Sequence, residues 1–244
     1  MKAEQLQLAL RPRPSYEAVD LGVRMAQQAA RSLLRAYLPL ALLLVAACGC
    51  TIELASWLPS LLLWWFKPWL DRTLLDIYAR QAFGEPTGFA DAWAARGRAP
   101  WSHLVRMLTF GRLSLMRSYA MPVMQLEGQT GAARRHRLRI VVRGQSGAAI
   151  LMQQAFATCE ACLMLGLLSL TVWLTPGMTN LDMLKSLSHG DLATTFVLFA
   201  AQAVAVLFVE PFYVAAGFAM YLNRRVQIEA WDIEQDLRHA FAPR

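Results

Sequence analysis

The sequence predicts an all-α, polytopic integral membrane protein with about four transmembrane helices and amphipathic cytoplasmic helices. Three observations predict it. The 244 residues are 56% hydrophobic and only 17% charged, with a mean hydropathy of +0.33. A soluble domain carries about 25% charged residues. Residues 38–66, 149–174 and 193–222 contain no Lys or Arg and one acid each, Glu53, Glu160 and Glu210. Each run exceeds the roughly 20 apolar residues that cross a hydrocarbon layer of about 30 Å, and soluble helices rarely run so long without a polar face. The 24 Lys and Arg, against 17 Asp and Glu, collect between these runs. Together these features exclude a soluble globular domain, a disordered chain, a collagen and a disulfide-stapled mini-protein.

Residues 1–37 read as a cytoplasmic arm. Within it Ala18, Leu21, Met25, Ala29 and Leu33 recur at helical steps, which predicts an amphipathic helix over 14–36 lying on the membrane. Residues 38–71 read as a transmembrane hairpin of two spans. Apolar character resumes after Trp57, and Pro59 suits the first turn of a returning helix, where its missing N–H costs nothing. The alternative is one long tilted helix over 38–66, giving three spans. No cleaved signal peptide is expected, because a long polar arm precedes the first apolar run. Val45-Ala46-Ala47-Cys48 fits a lipoprotein-type cleavage box, but apolar sequence continues past it.

Residues 72–148 form a long basic loop with interfacial helices. Residues 72–82 continue the second span, 84–88 turn, and 89–96 form a short helix. Trp101, Leu104, Val105, Leu108 and Met116 make an apolar stripe beside Arg106, Arg112 and Arg117. That pattern fits either a helix in the headgroup layer or packing on the protein's own helices. Arg134, Arg135, Arg137 and Arg139 are the densest basic cluster. It enforces topology and offers a patch for anionic lipid headgroups. Nucleic acid is not an expected partner, since no reading module accompanies the bases. The third span covers 149–174, a periplasmic loop 175–192, the fourth span 193–222 with a kink at Pro211, and a cytoplasmic helical tail 223–244.

Charge supports this threading. Residues 1–37 hold six Lys and Arg, 67–148 thirteen, 175–192 one and 223–244 four. By the positive-inside rule, four spans place both termini and the long loop in the cytoplasm.

Chemistry is sparse. The intramembrane acids Glu160 and Glu210 are expensive, about 2.5–3.5 kcal/mol on insertion scales, and point to a function or to interhelical bonding. Their expected partners are Gln153, Gln154, Gln202 and each other. Glu53, near the outer tip, reaches water. Cys48 with Cys50, and Cys159 with Cys162, sit at depths that would let the two pairs meet. Cys159 and Cys162 form a C-x-x-C, a possible redox pair, although small buried cysteines are commonly packing residues. No metal site and no cofactor are assigned. The phosphate-loop, dinucleotide and zinc-protease patterns are missing from the sequence, and His103, His136, His189 and His239 are scattered.

Residues 10–24 (LRPRPSYEAVDLGVR), 123–128 (VMQLEG) and 210–234 (EPFYVAAGFAMYLNRRVQIEAWDIE) resemble an uncharacterised family of proteobacterial multi-pass inner-membrane proteins. The resemblance implies an inner-membrane location. It also implies partners encoded nearby, among them transglutaminase-like membrane proteins and AAA-type ATPases. It supplies no catalytic residues. The expected function is a non-enzymatic subunit or scaffold of an envelope-associated complex. The alternatives are a small transporter using Glu160 and Glu210, and a quinone-linked thiol oxidoreductase using Cys159 and Cys162.

Overall fold

The computed structural model describes residues 12–82, 114–174 and 191–229, together with Gly84, Glu85, Gly88, Phe89, Ala90, Trp93 and Lys185. The described residues form a helical bundle of the multi-pass membrane type. Its elements are α1 (Ser15–Gln28), α2 (Ala30–Ser32), a π-helical turn (Leu33–Tyr37), α3 (Leu38–Gly49), α4 (Leu58–Ala82), α5 (Arg117–Gln125), α6 (Gly131–Val142), α7 (Ser146–Leu174) and α8 (Leu192–Glu229). Three helical stretches among them are long and apolar enough to cross a membrane: Ala30–Gly49, α7 and α8.

The first apolar run is broken. Helix α3 ends at Gly49, residues 50–57 turn, and α4 begins at Leu58 with Pro59 in its first turn. A single helix over 38–66 does not form. Thr51 Oγ1 donates to the Cys48 carbonyl at 2.6 Å, which helps close the turn. Glu53, Leu54 and Trp57 are exposed at its tip. Helix α4 then continues to Ala82, as the sequence predicts. Its apolar stretch ends at Lys67, so only its first part has the character of a span.

The organising element is α8. At about 1.5 Å per residue its 38 residues reach about 57 Å, well beyond a hydrocarbon core of about 30 Å. It runs through Pro211 without interruption. Residues 213–222 of this helix are buried without a break, because α1, α4, α5 and α7 all pack on it. Their contact forms the main hydrophobic core, with Leu70, Leu74 and Tyr78 from α4, Tyr119 and Met121 from α5, and Tyr213, Phe218 and Tyr221 from α8. A second, smaller cluster of Cys48, Leu63, Phe199 and Ala203 joins the hairpin to the N-terminal half of α8.

Two expectations change here. The amphipathic stripe of the N-terminal arm faces protein. Ala18, Gly22, Met25 and Ala26 are buried in α1, which packs along α8, while Tyr16, Asp20, Arg24 and Gln28 are exposed on its other side. The crossing is close because position 22 has no side chain: a Cβ there would lie 2.4 Å from Ala216 Cα and 2.6 Å from the Ala215 carbonyl oxygen. Arg13 and Asn223 lock the same junction. The Arg13 N–H donates to Asn223 Oδ1, and Asn223 Nδ2 donates to the Arg13 carbonyl, each at 2.8 Å. The second change is a narrowing: Met116 and Arg117, which fit either a headgroup-layer helix or packing on the protein's own helices, take the latter. Met116 packs on the main core, and Arg117 opens α5, whose residues from Ser118 to Met124 are almost all buried. Trp101, Leu104, Val105 and Leu108, most of the 175–192 loop, and the tail beyond Glu229 lie outside the described residues.

Packing at Gly22 generates a prediction. Gly22→Leu drives a side chain into the backbone of α8, where overpacking costs about 1–3 kcal/mol or more. Gly147→Ala, in α7 with open space around it, removes a poor helix former instead. Thermal unfolding in detergent, followed by size-exclusion of the soluble fraction, is expected to show a sharply lowered midpoint for the first and no loss for the second.

Candidate functional site: a chain of alternating charge beside an open cleft

Glu210 is fully buried on α8, and its side chain is only 1% exposed. An acid so placed must be neutralised, and two bases do so from two other elements. Lys67 on α4 reaches Glu210 Oε2 at 2.6 Å. Arg117 on α5 reaches Glu210 Oε1 through Nη2 at 3.1 Å. Each base also holds a second acid. Arg117 Nε lies 2.9 Å from Asp71 Oδ2 on α4, and Lys67 Nζ donates to Glu160 Oε2 on α7. The order Asp71, Arg117, Glu210, Lys67, Glu160 alternates in sign and ties four helices together. Three acids meet two bases, so the chain ends on an acid at both sides. Asp71 is fully buried, whereas the Glu160 side chain is 25% exposed.

Aromatic and amide groups brace this chain. The Arg117 guanidinium lies over the Tyr213 ring, 5.6 Å from its centroid, a favourable cation–π position. The Tyr213 hydroxyl accepts from the Ser118 N–H at 3.1 Å and donates to Gln153 Oε1. The Tyr78 hydroxyl donates to the Pro211 carbonyl at 2.9 Å. Gly217 provides the room for α5, since a Cβ there would sit 2.2 Å from Ser118 Oγ.

The exposed end of the chain borders a cavity of about 330 Å³, lined by residues of α4, α5, α7 and α8. Lys67, Glu160, Gln153 and Gln202 supply polar groups, while Trp64 and Met164 are among its apolar walls. Helices α4 and α7 both contribute to its lining. Both helices pack on α8, with no broad contact between themselves.

The structure therefore brings Glu160 and Glu210 together through Lys67. Gln153 reaches the site through Tyr213. Gln202 lines the cavity and donates to the Ser60 carbonyl at 3.3 Å. Lys67, Asp71 and Arg117 were missed as site residues. The signal available was charge inside or beside apolar sequence, and Lys67 with Asp71 at one-turn spacing carries it. Glu53 stands apart in the exposed turn. The cysteine pairs do not meet: Cys48 packs with Leu63, Phe199 and Ala203, Cys159 and Cys162 are exposed on α7, and all four are free thiols. No group of three His, Cys, Asp or Glu able to hold a metal occurs among the described residues.

The basic cluster on α6 divides. Arg135 and Arg139, four residues apart, are exposed. Arg137 turns inward, with Nε 2.8 Å and Nη2 3.0 Å from the Glu127 carboxylate and Nη2 2.5 Å from Glu229 Oε1. Glu127 also accepts from the Tyr221 hydroxyl at 2.5 Å, and Arg225 closes on Glu229 at 2.5 Å. Helix α1 and the Glu127 loop both lie against the C-terminal half of α8. Burial raises the Glu229 carboxyl, but hydrogen bonds from Arg225 and Arg137 outweigh it and hold Glu229 below the usual carboxylate range. No protein-family model, curated protein or solved structure matches the chain.

Two predictions follow from these charges. Lys67→Met leaves Glu210 and Glu160 without their shared base. Removing one partner of a buried pair costs about 3–5 kcal/mol, so the folded yield in detergent is expected to collapse, while Glu160→Gln, at the exposed end, is expected to retain most of it. Because Glu229 is depressed in the fold, its contribution is complete above the unfolded carboxylate value of about 4.3 and is lost as pH falls through the folded value. The thermal midpoint is expected to drop as pH falls below about 4.3, and to drop less in Glu229→Gln.

Proposed function

We propose that the protein is a non-enzymatic subunit of an envelope-associated complex in a bacterial inner membrane, threaded four times with both termini in the cytoplasm. The supporting observation is the bare flank of α7. This helix has 29 residues, and only Ala149 and Met152 are buried. Leu151, Leu165, Leu170, Trp173 and Leu174 are all exposed on it. The buried charges join the protein's own elements, so its outward-facing chemistry is this apolar helix on one side and the polar faces of α1 and α6 on the other. A second membrane protein seated on α7 would use the first, and a cytoplasmic partner the second. The turn at residues 50–57 supports four spans, and the exposed Arg135 and Arg139 support contact with anionic headgroups at the cytoplasmic surface.

A photo-crosslinking residue placed at Leu165 or Leu170 is expected to give a discrete protein adduct in intact cells. Adducts to lipid alone at both positions would contradict the subunit reading. Threading is tested separately. In a background with all four cysteines changed to Ser, Glu53→Cys is expected to react with an impermeant thiol reagent from outside spheroplasts, and Arg135→Cys only after permeabilisation. Labelling of both from one side would exclude four spans.

The second reading is a small transporter, favoured by one observation: Glu160 and Glu210 share Lys67 at the wall of an open cavity. Cys48, Leu63, Phe199 and Ala203 pack the hairpin against the N-terminal half of α8, so a path along that half requires this cluster to open. Ion or proton flux in liposomes that Glu160→Gln and Glu210→Gln abolish would establish it.

A further inference from the structure

We infer that the cleft between α4 and α7 holds the headgroup of an aminophospholipid, with its primary ammonium on Glu160. Four features support this occupant. The first is charge: in the network Asp71, Glu160 and Glu210 outnumber Lys67 and Arg117, and Glu160 is the acid that lines the cavity, beside two bases that are each already held by two acids. Among the described residues the ion-pair partner of Glu160 is Lys67, which is shared with Glu210, so an added ammonium meets an acid that these residues neutralise only in part. The second is the wall beside it. Trp64 lines the cavity and is exposed, and an indole face attracts a cation.

Third, the cleft is walled by small residues. Ala157 and Ala161 lie four apart on α7 and face the cavity with Ala205 of α8, leaving space that larger side chains would fill. Fourth, the exposed residues next to the lining on these two helices include apolar ones, Leu61 and Trp65 on α4 and Leu165 on α7. A water-soluble amine has no reason to cross such a rim. A lipid tail does, because it covers that surface while its headgroup enters. A headgroup bearing only a phosphate and hydroxyls lacks the cation and brings a negative charge to a site with an acid in excess.

The test uses the full chain in nanodiscs containing equal parts of phosphatidylethanolamine, phosphatidylcholine and phosphatidylglycerol with identical acyl chains. After mild detergent extraction, native mass spectrometry reads the lipids that remain bound. Phosphatidylethanolamine is expected to be enriched about threefold or more over each of the others, a preference well within that of one charge-assisted contact. Glu160→Gln should remove the enrichment by deleting the charge, and Ala161→Leu should remove it by filling the cleft while Glu160 stays in place. Should Glu160→Gln not be recovered folded, Ala161→Leu decides alone. Retention of the three lipids in equal proportion would overturn the inference. So would a preference for phosphatidylglycerol, or ethanolamine enrichment that survives Ala161→Leu. A protein partner on α7 is read by a different measurement, so either result here leaves the subunit reading standing or falling on its own.

Discussion

Glu210 must be neutralised where it lies. A carboxylate with no access to water on a helix otherwise free of charge from position 192 to 223 is stable only with bases beside it. Lys67 and Arg117 come from elements 143 and 93 residues away, so satisfying this one acid sets where α4 and α5 must stand. Because each base carries a second acid, the same requirement fixes α7 through Glu160 and a further point on α4 through Asp71. Much of the bundle's geometry follows. Gly217 is bare where Ser118 must approach, Gly22 is bare where α1 must cross, and Tyr213 stands between Arg117 and Gln153.

Such a network brings specificity more than net stability. Buried ion pairs roughly offset their own desolvation, and the hydrophobic core around residues 213–222 of α8 supplies the general driving force. The charges select which apolar faces meet. A bundle of featureless apolar helices has many near-equivalent packings. One in which Lys67 must reach both Glu160 and Glu210 has few. The cluster of Glu127, Arg137, Tyr221, Arg225 and Glu229 repeats the device at the C-terminal end of α8, where it anchors the loop between α5 and α6.

Much of the fold could be read in the sequence because its signals are local. Runs without Lys or Arg announce α3, α7 and α8, Pro59 announces the returning helix, and the three- and four-residue spacing of Ala18, Leu21, Met25 and Ala29 announces α1. What the α1 stripe faces was not local information. Small residues such as Ala18 and Gly22 fit a lipid surface or a close helix crossing equally well, and only the positions of Ala215 and Ala216 decide it. The site was half visible. Glu160 and Glu210 stand out as isolated acids, but their partners lie at the ends of runs, where Lys67 reads as a topology signal and Arg117 as a headgroup contact. Charge at a run's edge has two meanings, and the side chain's direction separates them.

The most direct test is a double-mutant cycle on thermal unfolding in detergent with Arg117→Met, Glu210→Gln and both together. If Arg117 stands inside the bundle against Glu210, the pair is coupled by about 1–3 kcal/mol, and the double variant is more stable than the sum of the single losses allows. Strict additivity would place Arg117 elsewhere, at the membrane surface, and would remove the constraint on which this arrangement of helices depends.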